Sequence, residues 1–144
     1  MSTEKSTTPK TARASAALPA AGADDTTPTK VDLTSGVQTL TLWASYARGG
    51  ADGYARIKPQ VSPNGETWYR ATLINTTIGG VAPAGVLATR AVEYDLPVPA
   101  SGAVLRTAHT VDVRGARFFR CPAAEVGNTG APGTLELLAS EDAS

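Results

Sequence analysis

The sequence predicts an all-β fold, an antiparallel β-sandwich or jelly-roll-like domain over residues 31–144, preceded by an extended N-terminal arm over residues 1–30. Three observations carry this expectation. Apolar side chains recur at every second residue rather than with the 3.6-residue period of a helix. Glycine and proline, 14 and 10 of 144 residues, interrupt that alternation at the short intervals of a strand-rich chain. No window offers a convincing helical stripe. Many short strands punctuated in this way fit two packed antiparallel sheets better than one open sheet.

Residues 1–30 hold seven threonines, seven alanines and three prolines, but none of the chain's eight aromatics. A segment with so little bulky apolar surface cannot offset its ordering entropy by forming a core. It is therefore expected as an arm held by a neighbouring subunit or another protein, with Thr7, Thr8, Pro9, Lys10, Arg13 and Lys30 as candidate contacts.

In residues 36–46, Leu40, Leu42, Ala44 and Tyr46 share one strand face, and Val37, Thr39, Thr41 and Trp43 the other. In residues 53–62, Ala55, Ile57 and Val61 alternate with Tyr54, Arg56, Lys58 and Gln60. Pro59 makes that strand an edge or marks a bulge, because it has no N–H to donate. Ser62-Pro63-Asn64-Gly65 is a reverse turn, since Pro63 presets its φ and Asn64-Gly65 tolerate positive φ. It closes a hairpin whose second arm is residues 66–74. A threonine- and glycine-rich loop follows over 75–85, then a strand over 86–96 that Pro97 and Pro99 end. Further strands are expected over 103–113, over 115–123 with Phe118 and Phe119 on opposite faces, and over 134–139 after the turn-rich run 127–133.

Thirteen basic side chains balance thirteen acidic ones, so the chain lacks the net positive field that sequence-independent nucleic-acid binding needs. No run of about 18 apolar residues is present to cross a bilayer, and the first residues lack the apolar segment of a secretory signal. The single cysteine, Cys121, permits neither an internal disulfide nor a thiolate cluster, and beside Phe119 and Pro122 it is expected as a buried, inert thiol. His109 is the only histidine, which excludes a multi-histidine metal site. Asp112, three residues further on, falls on the opposite strand face, which argues against that pair in a catalytic triad and leaves only a distant acid to meet the imidazole. His109 is expected as a surface or interface residue. The pairs Asp24-Asp25, Glu93/Asp95 and Glu141-Asp142 read as solvated carboxylates, and the glycine clusters lack the lysine and following helix of a P-loop. Asn75-Thr76-Thr77 fits the glycosylation pattern by coincidence. No enzyme activity, metal or cofactor is expected.

Two features remain as interaction surfaces. Arg106, Arg114, Arg117 and Arg120 place four arginines in fifteen residues against Asp112 alone, a basic strand pair suited to carboxylates on a partner. Trp43, Tyr54, Trp68 and Tyr69 fall on both faces of neighbouring strands, so some should lie in a second interface. The acidic end at Glu141-Asp142 offers a complementary patch for lateral association of copies.

The runs Tyr54-Ala55-Arg56-Ile57, Val61-Ser62-Pro63-Asn64-Gly65-Glu66-Thr67-Trp68-Tyr69, Phe118-Phe119-Arg120-Cys121-Pro122-Ala123-Ala124-Glu125-Val126-Gly127 and Pro132-Gly133-Thr134-Leu135 together resemble small β-sandwich structural proteins of tailed bacteriophages. An S-P-N-G-x-T-W hairpin also occurs in sugar-binding and sialidase-like β proteins. The phage resemblance implies a virion component, most like a head decoration (cement) protein. Its implied partners are the major capsid protein and copies of itself, as a homotrimer or other homo-oligomer. A tail or baseplate role is the alternative within that resemblance. A carbohydrate-binding module, with Trp43, Trp68 or Tyr69 stacking on sugar rings, is the alternative from another class.

Overall fold

The computed structural model describes residues 8–19, 23–49, 53–80, 85–97, 104–127 and 132–142. Among these residues all regular structure is strand. In chain order the strands are β1 (Lys10–Ala17), β2 (Val31–Asp32), β3 (Thr39–Ala47), β4 (Tyr54–Ile57), β5 (Gln60–Ser62), β6 (Tyr69–Arg70), β7 (Leu73–Gly80), β8 (Gly85–Ala91), β9 (Tyr94–Asp95), β10 (Val104–Asp112), β11 (Phe118–Arg120), β12 (Ala123–Val126) and β13 (Thr134–Glu141). Six form one antiparallel sheet in the order β1-β13-β3-β10-β7-β8; a second layer consists of β2-β11-β5-β6 and β12-β4-β9. The fold is an all-β, sandwich-like one.

Alternation explains the core. Leu40, Leu42, Ala44 and Tyr46 of β3 face inward, joined by Leu105 and Val111 of β10 and by Leu135, Leu137 and Ala139 of β13. Ala55, Ile57, Phe119, Cys121 and Ala123 of the second layer complete the same cluster. A fully buried side chain the size of leucine or phenylalanine contributes about 1.5–3 kcal/mol, so this inward set dictates the registers. A slip by one residue would turn it to solvent.

The break within the second layer has a local cause. Ile57 pairs with Ala123 and Gln60 with Arg120, so β4–β5 and β11–β12 keep one continuous register. Pro59 and Pro122 fall in the gap between the two ladders, and each removes a donor there. Lys58 N still donates to Pro122 O at 2.9 Å, while Ala71 N reaches Pro59 O at 3.0 Å. The expected bulge at Pro59 is thus a switch from one small sheet to the other.

Three sequence expectations change. Residues 75–80, expected as loop, belong to β7, because Thr76 and Ile78 alternate inward with Asn75 and Thr77 outward. β-branched threonines favour such a pleated surface over a loop despite Gly79-Gly80. The expected second arm of the hairpin, 66–74, is likewise divided between β6 and the start of β7.

The N-terminal arm is the third. β1 pairs with β13 of its own chain, with shifts in register on either side of Arg13. Ala12 and Leu18 are buried, and Leu18 N donates to Gly133 O at 2.9 Å. Main-chain pairing along an otherwise open sheet edge supplies what its small side chains do not. Removing residues 1–9 is therefore expected to leave the unfolding midpoint unchanged, whereas removing residues 1–18 costs roughly 2–4 kcal/mol, Leu18 alone accounting for about 2. Urea unfolding of both truncations checks this; equal midpoints would contradict it.

Candidate partner-binding faces

The outer face of the six-stranded sheet is rich in hydroxyls. Trp43 stands opposite Leu138 on one side and Ala108 on the other. Its indole is 47% exposed, and its N–H donates to Ser140 Oγ at 2.9 Å. Rows of Ser140, Thr41, Thr110 and Asn75 and of Glu136, Ser45, Arg106 and Gly79 flank it. An exposed tryptophan fixed by a hydrogen bond on a rigid sheet is a preorganised contact surface.

The outer face of the four-stranded sheet is built differently. One row carries Asp32, Phe118 and Ser62, and by continuation of the hairpin register Trp68. The next carries Arg120, Gln60 and Arg70, with Lys30 reaching the position opposite Arg120. The Arg120 guanidinium lies 4.2 Å from the Trp68 ring centroid, and its Nε–H donates to Gln60 Oε1 at 2.6 Å. Lys30 Nζ lies 4.9 Å from the Phe118 centroid. Two cations are thus held against aromatic rings. Burial lowers the pKa of Arg120 from its ordinary value.

The turn that shapes this face is the expected one. Ser62 Oγ accepts from the N–H groups of Asn64 and Gly65, and Asn64 Oδ1 from those of Glu66 and Thr67. Gly65 adopts φ +81°, and a Cβ there would press on Lys30 and Phe118.

The structure distributes the remaining predicted contacts widely. The four arginines do not form one patch. Arg106 lies on the large sheet's outer face, and Arg114 pairs with Asp112 at 2.9 Å in the turn after β10. Arg117 is exposed and only Arg120 joins the row described above. Strand alternation and the turn between β10 and β11 send neighbours in sequence to different layers. Tyr69 is 58% exposed at the edge of its sheet, across β6 from the half-buried Trp68.

Of the arm residues, Thr7 lies outside the described residues, and Thr8 and Pro9 are exposed. Lys10 Nζ donates to Asp32 O at 2.7 Å. Arg13 is an internal tie: its guanidinium binds the Asp25 carboxylate at 2.9 and 3.2 Å and the carbonyls of Ala16, Ala17 and Leu135. The acidic C-terminal patch is also spent internally. Glu141 accepts from Thr34 N and Oγ1, and Asp142 from the hydroxyls of Thr39 and Thr41.

The groups suited to chemistry are committed to the core. His109, expected near the surface, is fully buried between Thr76 Oγ1 at 3.0 Å from Nδ1 and Thr107 Oγ1 at 2.7 Å from Nε2, with the Tyr94 ring 5.2 Å away. It belongs inside because it shares the inward face of β10 with Leu105, Thr107 and Val111, and two hydroxyls satisfy both ring nitrogens. Burial lowers its pKa to about 4. Cys121 is buried, which pushes its thiol pKa well above the usual value. Glu125, also buried, accepts from Tyr46 Oη at 3.0 Å and from Gly133 N at 3.1 Å. Burial first, and the Glu125 charge second, raise the Tyr46 pKa. Among the described residues no three His, Cys, Asp or Glu side chains converge as a metal set.

Sequence reasoning missed Gln60, Arg70 and Phe118 as members of a face. The observed hairpin is centred on Gly65, which sets residue 60 opposite residue 70, whereas the expected turn over 62–65 would have set it opposite residue 67. Comparison with protein-family models, curated proteins and solved structures finds no match to this chain.

Proposed function

We propose that this chain is a non-enzymatic structural protein of a tailed-phage virion, a decoration protein that binds the outer capsid surface and bridges neighbouring major capsid protein subunits, self-associating as a homotrimer or similar oligomer. The observation that carries this reading is the placement of fixed recognition groups on the outer faces of two opposed sheets: the exposed Trp43 on one, the half-buried Arg120–Trp68 stack on the other. A rigid body with two such faces suits a bridge between subunits. The resemblance of the Ser62–Tyr69 hairpin and the Phe118–Gly127 segment to phage structural proteins supports the same reading.

In this mechanism the sheet faces do the binding. Residues 10–17, which the sequence suggested as a clamp on a neighbour, are engaged with β13 of their own chain. The test is addition of the purified full chain to phage heads assembled without it. Binding should saturate at a copy number fixed by capsid symmetry. Absence of saturable binding would refute the reading.

A second reading, carbohydrate binding, is favoured by the exposure of Trp43 beside serine and threonine hydroxyls. It differs from the first in requiring a sugar-binding event that depends on Trp43. Trp68, whose ring face is covered by Arg120, is no longer the platform residue.

A further inference from the structure

Lys30, Arg120 and Arg70 cross the four-stranded sheet in one row with Gln60 between the two arginines. Four cations elsewhere have counter-charges within the chain: Asp25 for Arg13, Asp95 for Arg56, Asp24 for Lys58 and Asp112 for Arg114. In this row no cation has a carboxylate partner among the described residues. Asp32, beside Phe118, and Glu66, in the turn, lie close in sequence or register yet pair with none of the three. Arg120 is half-buried, so it has given up part of its hydration without a compensating charge. A buried cation in this state gains most from an incoming anion.

The row is also uniform in hydrogen-bonding sense. Gln60 spends its Oε1 on Arg120 Nε–H, which turns its amide NH2 to the remaining side. Ammonium, guanidinium and amide groups then present donors only, the complement of a carboxylate, which only accepts. Arg120 is held flat by Trp68 and Gln60, so little side-chain entropy is lost when it binds.

We infer that this face docks an extended acidic segment of a partner protein, its carboxylates seated along Lys30, Arg120 and Arg70. Strands lie about 4.8 Å apart, so the row spans roughly 14 Å; alternate residues of an extended chain are about 6.7 Å apart, so carboxylates at positions i, i+2 and i+4 cover nearly the same length. A polynucleotide fits less well. The chain as a whole is neutral, and the rings that could stack on bases are already occupied by Arg120 and Lys30. Only the partner's place in a virion rests on the proposed function; the chemistry of the face stands apart from it.

The test uses the full chain and a dye-labelled peptide of alternating glutamate and threonine, followed by anisotropy. Saturable binding is expected, weakened about tenfold, the combined loss of two charge-assisted pairs, in Arg70→Gln/Arg120→Gln. The charge-matched Arg90→Gln/Arg114→Gln, at two exposed arginines outside the row, should bind like the parent. Arg70→Gln alone, at an exposed edge, keeps the test valid if the double variant fails to fold. No saturable binding, equal loss in the charge-matched variant, or tighter binding of a heparin oligosaccharide or short DNA duplex would overturn the inference. Peptide binding without binding to heads would refute the virion reading and leave this face in place; head binding unaffected by the row would do the reverse.

Discussion

Alanine in place of Gly133 is expected to lower stability by about 3–5 kcal/mol, because it combines overpacking against backbone with loss of a buried polar contact. A Cβ at Gly133 would lie 2.5 Å from Ala47 O, 2.7 Å from Tyr46 Cε1 and 3.1 Å from Gly49 N. Two of these are backbone atoms at the end of β3, which cannot rotate aside. Relief requires the start of β13 to move away from Ala47, its partner through Thr134. That movement pulls Gly133 N from Glu125 and disturbs the Tyr46–Glu125 bond. It also loosens β1, which Leu18 N ties to Gly133 O. Gly79→Ala is the control: its nearest contact would be Arg106 O at 4.0 Å, ordinary van der Waals distance, and the expected cost is below about 1 kcal/mol. Urea unfolding of the two variants separates them; similar midpoints would contradict this packing.

Acid is expected to destabilise the protein through His109. Burial lowers its folded pKa to about 4 from an ordinary 6.5. Above pH 6.5 both folded and unfolded chains carry it neutral, and its contribution is fully present. As pH falls from 6.5 towards 4 the unfolded chain takes up a proton that the folded chain refuses, so stability is progressively lost. The full difference amounts to about 3 kcal/mol. Below about pH 4 the folded form is protonated too, and this contribution to the slope ends. Unfolding free energies at pH 7, 5.5 and 4 should show the loss, and His109→Gln should flatten it whatever its own stability. An unchanged slope in that variant would mean that His109 is not the group responsible.

The fold class was legible because alternation is a local signal. Leu40, Leu42, Ala44 and Tyr46 announce a buried face without reference to anything else, and Ser62–Gly65 announces its own turn. What could not be read is pairing across long sequence separations. Nothing in the composition of residues 10–17 says that β13 lies beside them, since the attraction is main-chain hydrogen bonding and one arginine bound to Asp25. His109 was misplaced because a polar residue looks exposed until Thr76, 33 positions away, is seen to satisfy it. The arginine cluster failed for the converse reason: closeness in sequence is not closeness in space when strands alternate and turns change layers. The row of Lys30, Arg120, Gln60 and Arg70 draws on four segments, of which one hairpin alone was predictable.

Binding of a virion partner by the sheet faces, with their fixed side chains, is the central claim. Occupancy of phage heads assembled without the chain measures this directly, comparing full chain, residues 10–144 and Arg70→Gln/Arg120→Gln. Symmetry-limited saturation is expected for the first two and markedly reduced occupancy for the third. Loss of occupancy on removal of residues 1–9 alone, with the arginine variant bound as well as the parent, would contradict it.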